Sequence, residues 1–164
     1  DISLKFFERY HMVTCCFAGH RQTPHCLFKE IIIAVEKLVL ATDEIEFLSG
    51  GMGDFDKLCE KAVQEIKKEC PKKSIRLYRV LPSCKYIPHK EEYQYQRSLF
   101  DDIFVCDASD GAHYKSMIGK RNRWMVEQSD FMIAYVMHES GGAYSAFQYA
   151  GKQNVEIIRV GMNT

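Results

Sequence analysis

The apolar run Phe131-Met132-Ile133-Ala134-Tyr135-Val136 is the feature that most restricts the fold of this chain. It is short and almost unbroken, which suits a strand covered on both faces, as in a parallel sheet. Ser140, Gly141 and Gly142 then interrupt the pattern, and Ala143 to Ala150 read as a helix that Gly151 stops. A strand, a glycine turn and a helix in that order bring free backbone N–H groups to the C-terminal edge of a sheet. That edge is where an anion, usually a phosphate, binds. The preceding Lys120 to Asp130 reads as a helix that leads into the strand.

The same alternation runs through the rest of the chain. Met12 to Phe17 reads as a strand ending in Ala18-Gly19-His20-Arg21, and Pro24 opens a helix with an apolar face from Leu27 to Val39. Glu46 to Ser49 is a second strand, ended by Gly50, Gly51 and Gly53. Phe55 to Ile66 form the inner face of the next helix, with Asp54 or a neighbour as its cap and Pro71 as its stop. Ser74 to Leu81 alternates and reads as a third strand. A loop over 83–90, a helix over 91–100, a strand Ile103 to Cys106 and a polar loop follow, and then a helix started by Ser116. Val155 to Val160 is the last strand. Strand and helix alternating with short connections predict an α/β fold, Rossmann-like and doubly wound, with a mainly parallel sheet between two layers of helices. No linker divides residues 1–164, so one domain is expected, with 1–11 as an N-terminal extension.

Composition sets limits on the function. Lys and Arg total 22 and Asp and Glu total 22, so the chain as a whole has no electrostatic preference for nucleic acid or acidic membranes. Nucleic acid is therefore not the expected partner. No apolar run is long enough to span a membrane and the start lacks a signal-peptide pattern, which makes the cytoplasm the expected location. The seven cysteines include no CxxC pair, and Cys15, Cys59 and Cys106 fall in apolar runs. They read as small buried hydrophobes, with no metal and no cofactor expected. GxGxxG is absent, so ordinary dinucleotide binding is not supported.

Several residues carry the chemistry. Ser-Gly-Gly occurs after two strands, at Ser49–Gly51 and Ser140–Gly142, and Gly19 follows a third. In a doubly wound sheet such loops share one crevice. Arg121 shares a helix face with Met117, Trp124, Met125 and Gln128. A guanidinium in that company needs a partner, either a bound phosphate or carboxylate, or an internal salt bridge, unless it snorkels out. Arg123 reads as structural. His20 and Arg21 are phosphate or base contacts, or a solvated loop. Asp54 reads as structural, whereas Asp56 caps its helix or meets a ribose hydroxyl. Tyr144 either stacks on a base or packs.

These motifs together resemble the SLOG superfamily of Rossmann-like proteins, which takes in the Smf/DprA, Lonely Guy and YpsA-like groups. The likeness is greatest to the small, mostly bacterial YpsA-like proteins. Gly19-His20-Arg21 after the first strand, Gly50 and Gly51 with Asp56, and Arg121-Asn122-Arg123 match that pattern from Thr14 to Ile158. The resemblance implies a nucleotide or nucleotide-sugar ligand, in a sensing or regulatory module that is free to form homo-oligomers. Its binding residues would be Gly19, His20, Arg21, Gly50, Gly51, Asp56, Arg121, Ser140, Gly141, Gly142, Ala143 and Tyr144. Against the Lonely Guy phosphoribohydrolases, which cleave the N-glycosidic bond of nucleoside monophosphates, Arg121 matches. Asn122 replaces a lysine, Ser140 a proline, Tyr144 a glycine, Ser145 a threonine and Gln148 the glutamate. An amide cannot supply the charge that stabilises a developing oxocarbenium ion. An enzyme would therefore draw on Arg121 with Glu139, Asp54 or Asp56.

Overall fold

The computed structural model describes residues 12–162, so the extension expected over 1–11 lies outside the described residues. The elements are β1 (Val13–Gly19), α1 (Phe28–Leu40), β2 (Glu44–Ser49), α2 (Asp54–Glu69), β3 (Ser74–Leu81) and α3 (Lys90–Leu99). They continue with β4 (Asp102–Val105), α4 (Tyr114–Gln128), β5 (Phe131–Tyr135), α5 (Gly141–Gly151) and β6 (Glu156–Arg159). Every strand pairing is parallel, in the order β4-β3-β2-β1-β5-β6. The expected doubly wound α/β fold is the observed one.

Strand alternation sorts the core into two layers. On β1, Cys15 and Phe17 face the cluster built with Ile31, Val35, Phe55, Cys59 and Val63 of α1 and α2. Cys16 and Ala18 face the other cluster, with Met125 and Val126 of α4 and Ala146 and Ala150 of α5. The period of two places successive side chains on opposite faces, and both faces are apolar because both carry helices. Cys15, Cys59 and Cys106 are buried free thiols, as their apolar neighbours suggested, and Cys16 joins them.

Several boundaries differ from the sequence reading, among them β1, which runs on to Gly19, β2, which begins at Glu44, α4, which begins at Tyr114, and the starts of α1 and α5. Pro24 opens a short 3-10 turn, His25–Leu27, closed by the Leu27 N–H donating to the Pro24 carbonyl, and α1 begins only at Phe28. The last helix starts at Gly141 rather than after the glycines, so Gly141 and Gly142 form its first turn.

A buried ion pair fastens the middle of the sheet to α2. Arg79 on β3 donates from Nη2 to Glu60 Oε2 at 2.7 Å, and Ser49 Oγ donates to Glu60 Oε1 at 2.6 Å. The Arg79 guanidinium also lies over the Phe100 ring at 4.4 Å and reaches Gln96 of α3 at 3.2 Å. Removing one member of such a pair leaves the other charged and desolvated. Glu60→Ala is expected to cost about 3–5 kcal/mol of unfolding free energy, read by urea denaturation, with Glu60→Gln intermediate.

A cleft at the switch point of the sheet

The chain leaves β1 toward β2, β3 and β4 on one side, and β5 and β6 fill the other. The direction of winding therefore reverses between β1 and β5, whose ends pair at Gly19 and Tyr135. Loops leaving the C-terminal ends of two such strands diverge and open a crevice. A cavity of about 580 Å³ lies there. That volume falls within the ordinary range for a small-molecule site.

Of the residues read as binding from the sequence, Gly19, His20, Arg21, Gly50, Asp56, Arg121, Ser140, Gly141, Gly142 and Ala143 line this cavity. Gly51 and Tyr144 do not, and neither does Glu139, an exposed residue of the β5–α5 loop. The Tyr144 hydroxyl accepts the Gln148 side-chain amide at 2.7 Å, so the residue at the Lonely Guy glutamate position is engaged on the helix surface, away from the cavity. Asp54 also stays outside, with Oδ2 accepting the Thr23 N–H at 3.4 Å. Arg123 is exposed, lies over the Tyr149 ring at 5.5 Å and does not line the cavity.

The two Ser-Gly-Gly turns share the cavity but differ in what their amides do. At the first, Gly51 N–H donates to Ser49 Oγ at 3.1 Å, Met52 N–H to Asp56 Oδ2 at 2.9 Å and Asp54 N–H to the Arg21 carbonyl at 2.8 Å. Its donors are consumed by the protein itself. At the second, Gly141 takes φ +86 and Ser140 provides no side-chain cap. First-turn amides have no acceptor within the helix, so those of α5 remain available at the cavity wall.

Arg121 is only 2% exposed, yet among the described residues it has no salt bridge, and it is not snorkelled outward. Nη1 donates to the carbonyls of Gly50 at 2.9 Å and Val80 at 2.7 Å, and Nε donates to Asn122 Oδ1 at 2.9 Å. The guanidinium thus caps the ends of β2 and β3 while its edge lines the cavity. Gly50 is required for this approach, because a Cβ there would meet the Arg121 Cζ at 2.8 Å. At Gly51, φ is +68 and a Cβ would lie 2.6 Å from Arg79 Nε. These glycines seat two arginines. Burial pulls the Arg121 guanidinium below its usual value, and the carboxyl of Asp56 partly offsets this.

Asp56 is the carboxyl that lines the cavity, and it is 8% exposed. Burial pushes it up to about 7, opposed by the Met52 N–H bond and by Arg121 and Arg79, and reinforced by Glu60. His20 accepts the Met137 N–H on Nε2 at 2.8 Å and stacks on His138 at 3.8 Å between ring centroids. Burial, followed by the neighbouring His138, lowers its basicity. An imidazole that accepts through Nε2 is neutral, with its proton on Nδ1. His138, Met137, Met52 and Asn122 were not read as site residues from the sequence. Asn122 belongs to the Arg-Asn-Arg motif, and His138 precedes the second glycine turn; these positions were the only signal available.

No helix among the described residues is long and apolar enough to cross a membrane. No family profile matches the chain. No curated protein matches it either. Among solved structures, the DNA processing protein A (DprA) of Streptococcus pneumoniae superposes with a TM-score of 0.69 at 12% identity, over 90% of this chain and 50% of that one. DprA of Helicobacter pylori, described by its single-stranded DNA binding mode, gives 0.60 at 17%, over 90% of this chain and 64% of that one. The molybdenum cofactor binding protein of Rippkaea orientalis gives 0.59 at 20%, over 92% and 77%. This chain therefore spans about half the length of the first neighbour, and the likeness is one of fold.

Asp56 has a higher proton affinity folded than unfolded, so its contribution to stability is complete below the unfolded carboxyl range. It is lost as pH rises through about 7. Asp56→Asn should accordingly melt higher than the native chain at pH 8, by roughly 4 °C or more, with the gap closing toward pH 4. Thermal melts by circular dichroism across that range measure it.

Proposed function

We propose that this SLOG-type Rossmann-like domain binds a nucleotide or nucleotide derivative in the cleft between β1 and β5 and acts as a sensing or regulatory module. The observation that carries the reading is the uncapped start of α5 opening onto a cavity of about 580 Å³. A phosphate there would take the first amides of α5. The exposed Arg21 at the rim would supply a second charge-assisted contact. Buried Arg121 adds positive field from below while its hydrogen bonds stay on the strand ends. Phe17, Ile118 and Met125 provide an apolar wall suited to a base.

The neighbours support ligand binding on this fold without choosing the ligand. The Helicobacter protein takes single-stranded DNA, itself a chain of nucleotides. Neutral net charge does not dispose of nucleic acid here, because backbone affinity comes from local groups rather than from the overall balance. The balanced charge is therefore no argument against a nucleic-acid ligand.

A second reading is a phosphoribohydrolase-like enzyme that cleaves the N-glycosidic bond of a nucleoside monophosphate. It is favoured by a carboxyl, Asp56, on the wall of the same cavity as Arg121. Glu139 and Asp54 lie outside that cavity.

Purified protein incubated with nucleoside monophosphates, dinucleotides and a short oligothymidylate should melt about 5 °C higher with a binding nucleotide at a hundredfold excess over Kd. Arg21→Ala should weaken that binding about tenfold without altering the melting temperature of the free protein. Release of free base, scored by chromatography, would favour the enzyme. A shift with the oligomer alone would favour a polymer ligand, and no shift with any of them at millimolar concentration would refute the proposal.

A further inference from the structure

Asp56 and Glu60 stand one turn apart on α2, and both are buried. Glu60 has the guanidinium of Arg79 and the hydroxyl of Ser49. Asp56 has neither. Its Oδ2 accepts the Met52 N–H at 2.9 Å, and Oδ1 makes no hydrogen bond among the described residues. Arg121 donates instead to the carbonyls of Gly50 and Val80, to Asn122 and, from Nη2, to Met52 Sδ at 3.7 Å, and it makes no ion pair with Asp56 among the described residues. A carboxyl that is taken out of water without an ion pair favours its neutral form. Because Asp56 also lines the cavity, that neutral form presents an O–H where a ligand would lie.

We infer that Asp56 is a ligand-contacting residue that meets the bound molecule as a proton donor. The cleft would then take a nucleoside monophosphate with its phosphate at the start of α5 and a neutral hydrogen-bond acceptor of the base or sugar at Asp56. The two poles come from opposite layers, α2 on one face of the sheet and α5 on the other, so one ligand bridges the strand ends between them. This inference rests on the nucleotide reading above and adds to it which end faces which wall and in what proton state. The electrostatic surroundings agree. Burial is the main influence that raises the Asp56 carboxyl, to about 7, and Glu60 adds to it, while the Met52 N–H, Arg121 and Arg79 pull the other way. The other titratable groups on the cavity wall are His20 and His138, stacked on each other, Arg21, Arg121 and Tyr135. The thiols of Cys16 and Cys59 lie close enough to feel the Asp56 charge and are themselves held protonated by burial.

Asparagine is the neutral isostere of this carboxyl. Its oxygen accepts from Met52 N–H and its NH2 donates to the cavity at every pH. The test uses the nucleoside 5′-monophosphate of adenine, guanine, cytosine or uracil that gives the largest thermal shift, and measures Kd by calorimetry at pH 6 and pH 8. Asp56→Asn should bind like the native protein at pH 6. At pH 8, where the native carboxyl has ionised, the variant should bind about tenfold more tightly than the native protein. Ionisation of the phosphate itself affects both proteins equally and cancels in the ratio. A ratio that stays flat between the two pH values overturns the inference and leaves the nucleotide reading standing. Absence of binding by all four nucleotides and by inorganic pyrophosphate overturns both. A carboxyl-carbon NMR titration of the native protein serves as the second measurement, independent of whether the variant folds. A midpoint near neutrality for Asp56 supports the inference, and one in the ordinary carboxylate range refutes it.

Discussion

The hydrogen bonds of Arg121 are the interaction on which the cleft depends. Two parallel strands end at the cavity floor with carbonyls that have no further ladder partner, and one guanidinium satisfies both, at Gly50 and Val80. Buried carbonyls left unpaired would each cost on the order of 1–3 kcal/mol. The planar fork of arginine reaches two acceptors that diverge, which an ammonium on a flexible stem does less well. The same contact fixes Asn122, whose Oδ1 receives the Arg121 Nε–H and whose Nδ2 is thereby turned toward Gly142 of α5. One side chain therefore joins β2, β3 and α4 and sets the orientation of an amide at the second glycine turn.

The two Ser-Gly-Gly turns illustrate how one tripeptide gives two outcomes. After Ser49 the chain continues Gly-Gly-Met-Gly-Asp-Phe-Asp, and the second aspartate folds back to accept the Met52 amide. An acid in the first turn satisfies the helix start from within. After Ser140 the chain continues Gly-Gly-Ala-Tyr-Ser-Ala, with no acid, and the first turn of α5 lacks any acidic residue. That helix start can be completed only from outside. The distinction lies in residues three to five positions beyond the tripeptide. It is legible in the sequence once the question is which amides are already spoken for.

Most of the architecture was open to sequence reasoning because it follows from burial alone. The strand Ser74–Leu81 was bounded as observed, and β5 was placed to within a residue. The start of α5 was misplaced because glycine is a poor helix former, and only the positive φ of Gly141 lets the chain turn into the helix there. Cavity residues on loops fared less well. His138 gives no local signal, since its stacking on His20 depends on β1 and β5 being neighbours, although they are separated by most of the chain. Arg121 was read correctly as needing a partner, but the partner is backbone. A sequence can flag an acid for a buried base, whereas strand-end carbonyls carry no identity to flag.

The contrast between Asp56 and Glu60 carries the electrostatic logic of the cleft. Both are acids on the buried side of one helix, and nothing in their immediate sequence separates them. Tertiary structure assigns Arg79, whose guanidinium lies over the Phe100 ring, to the longer side chain. The shorter side chain remains at the cavity wall with one backbone donor. Arg79 and Arg121 both attract a charge at Asp56 but hold their hydrogen bonds elsewhere, and burial outweighs that attraction, so a carboxylate there is costly. An amide or an apolar group in its place would relieve that cost, so the carboxyl lowers stability where it lines the open cavity.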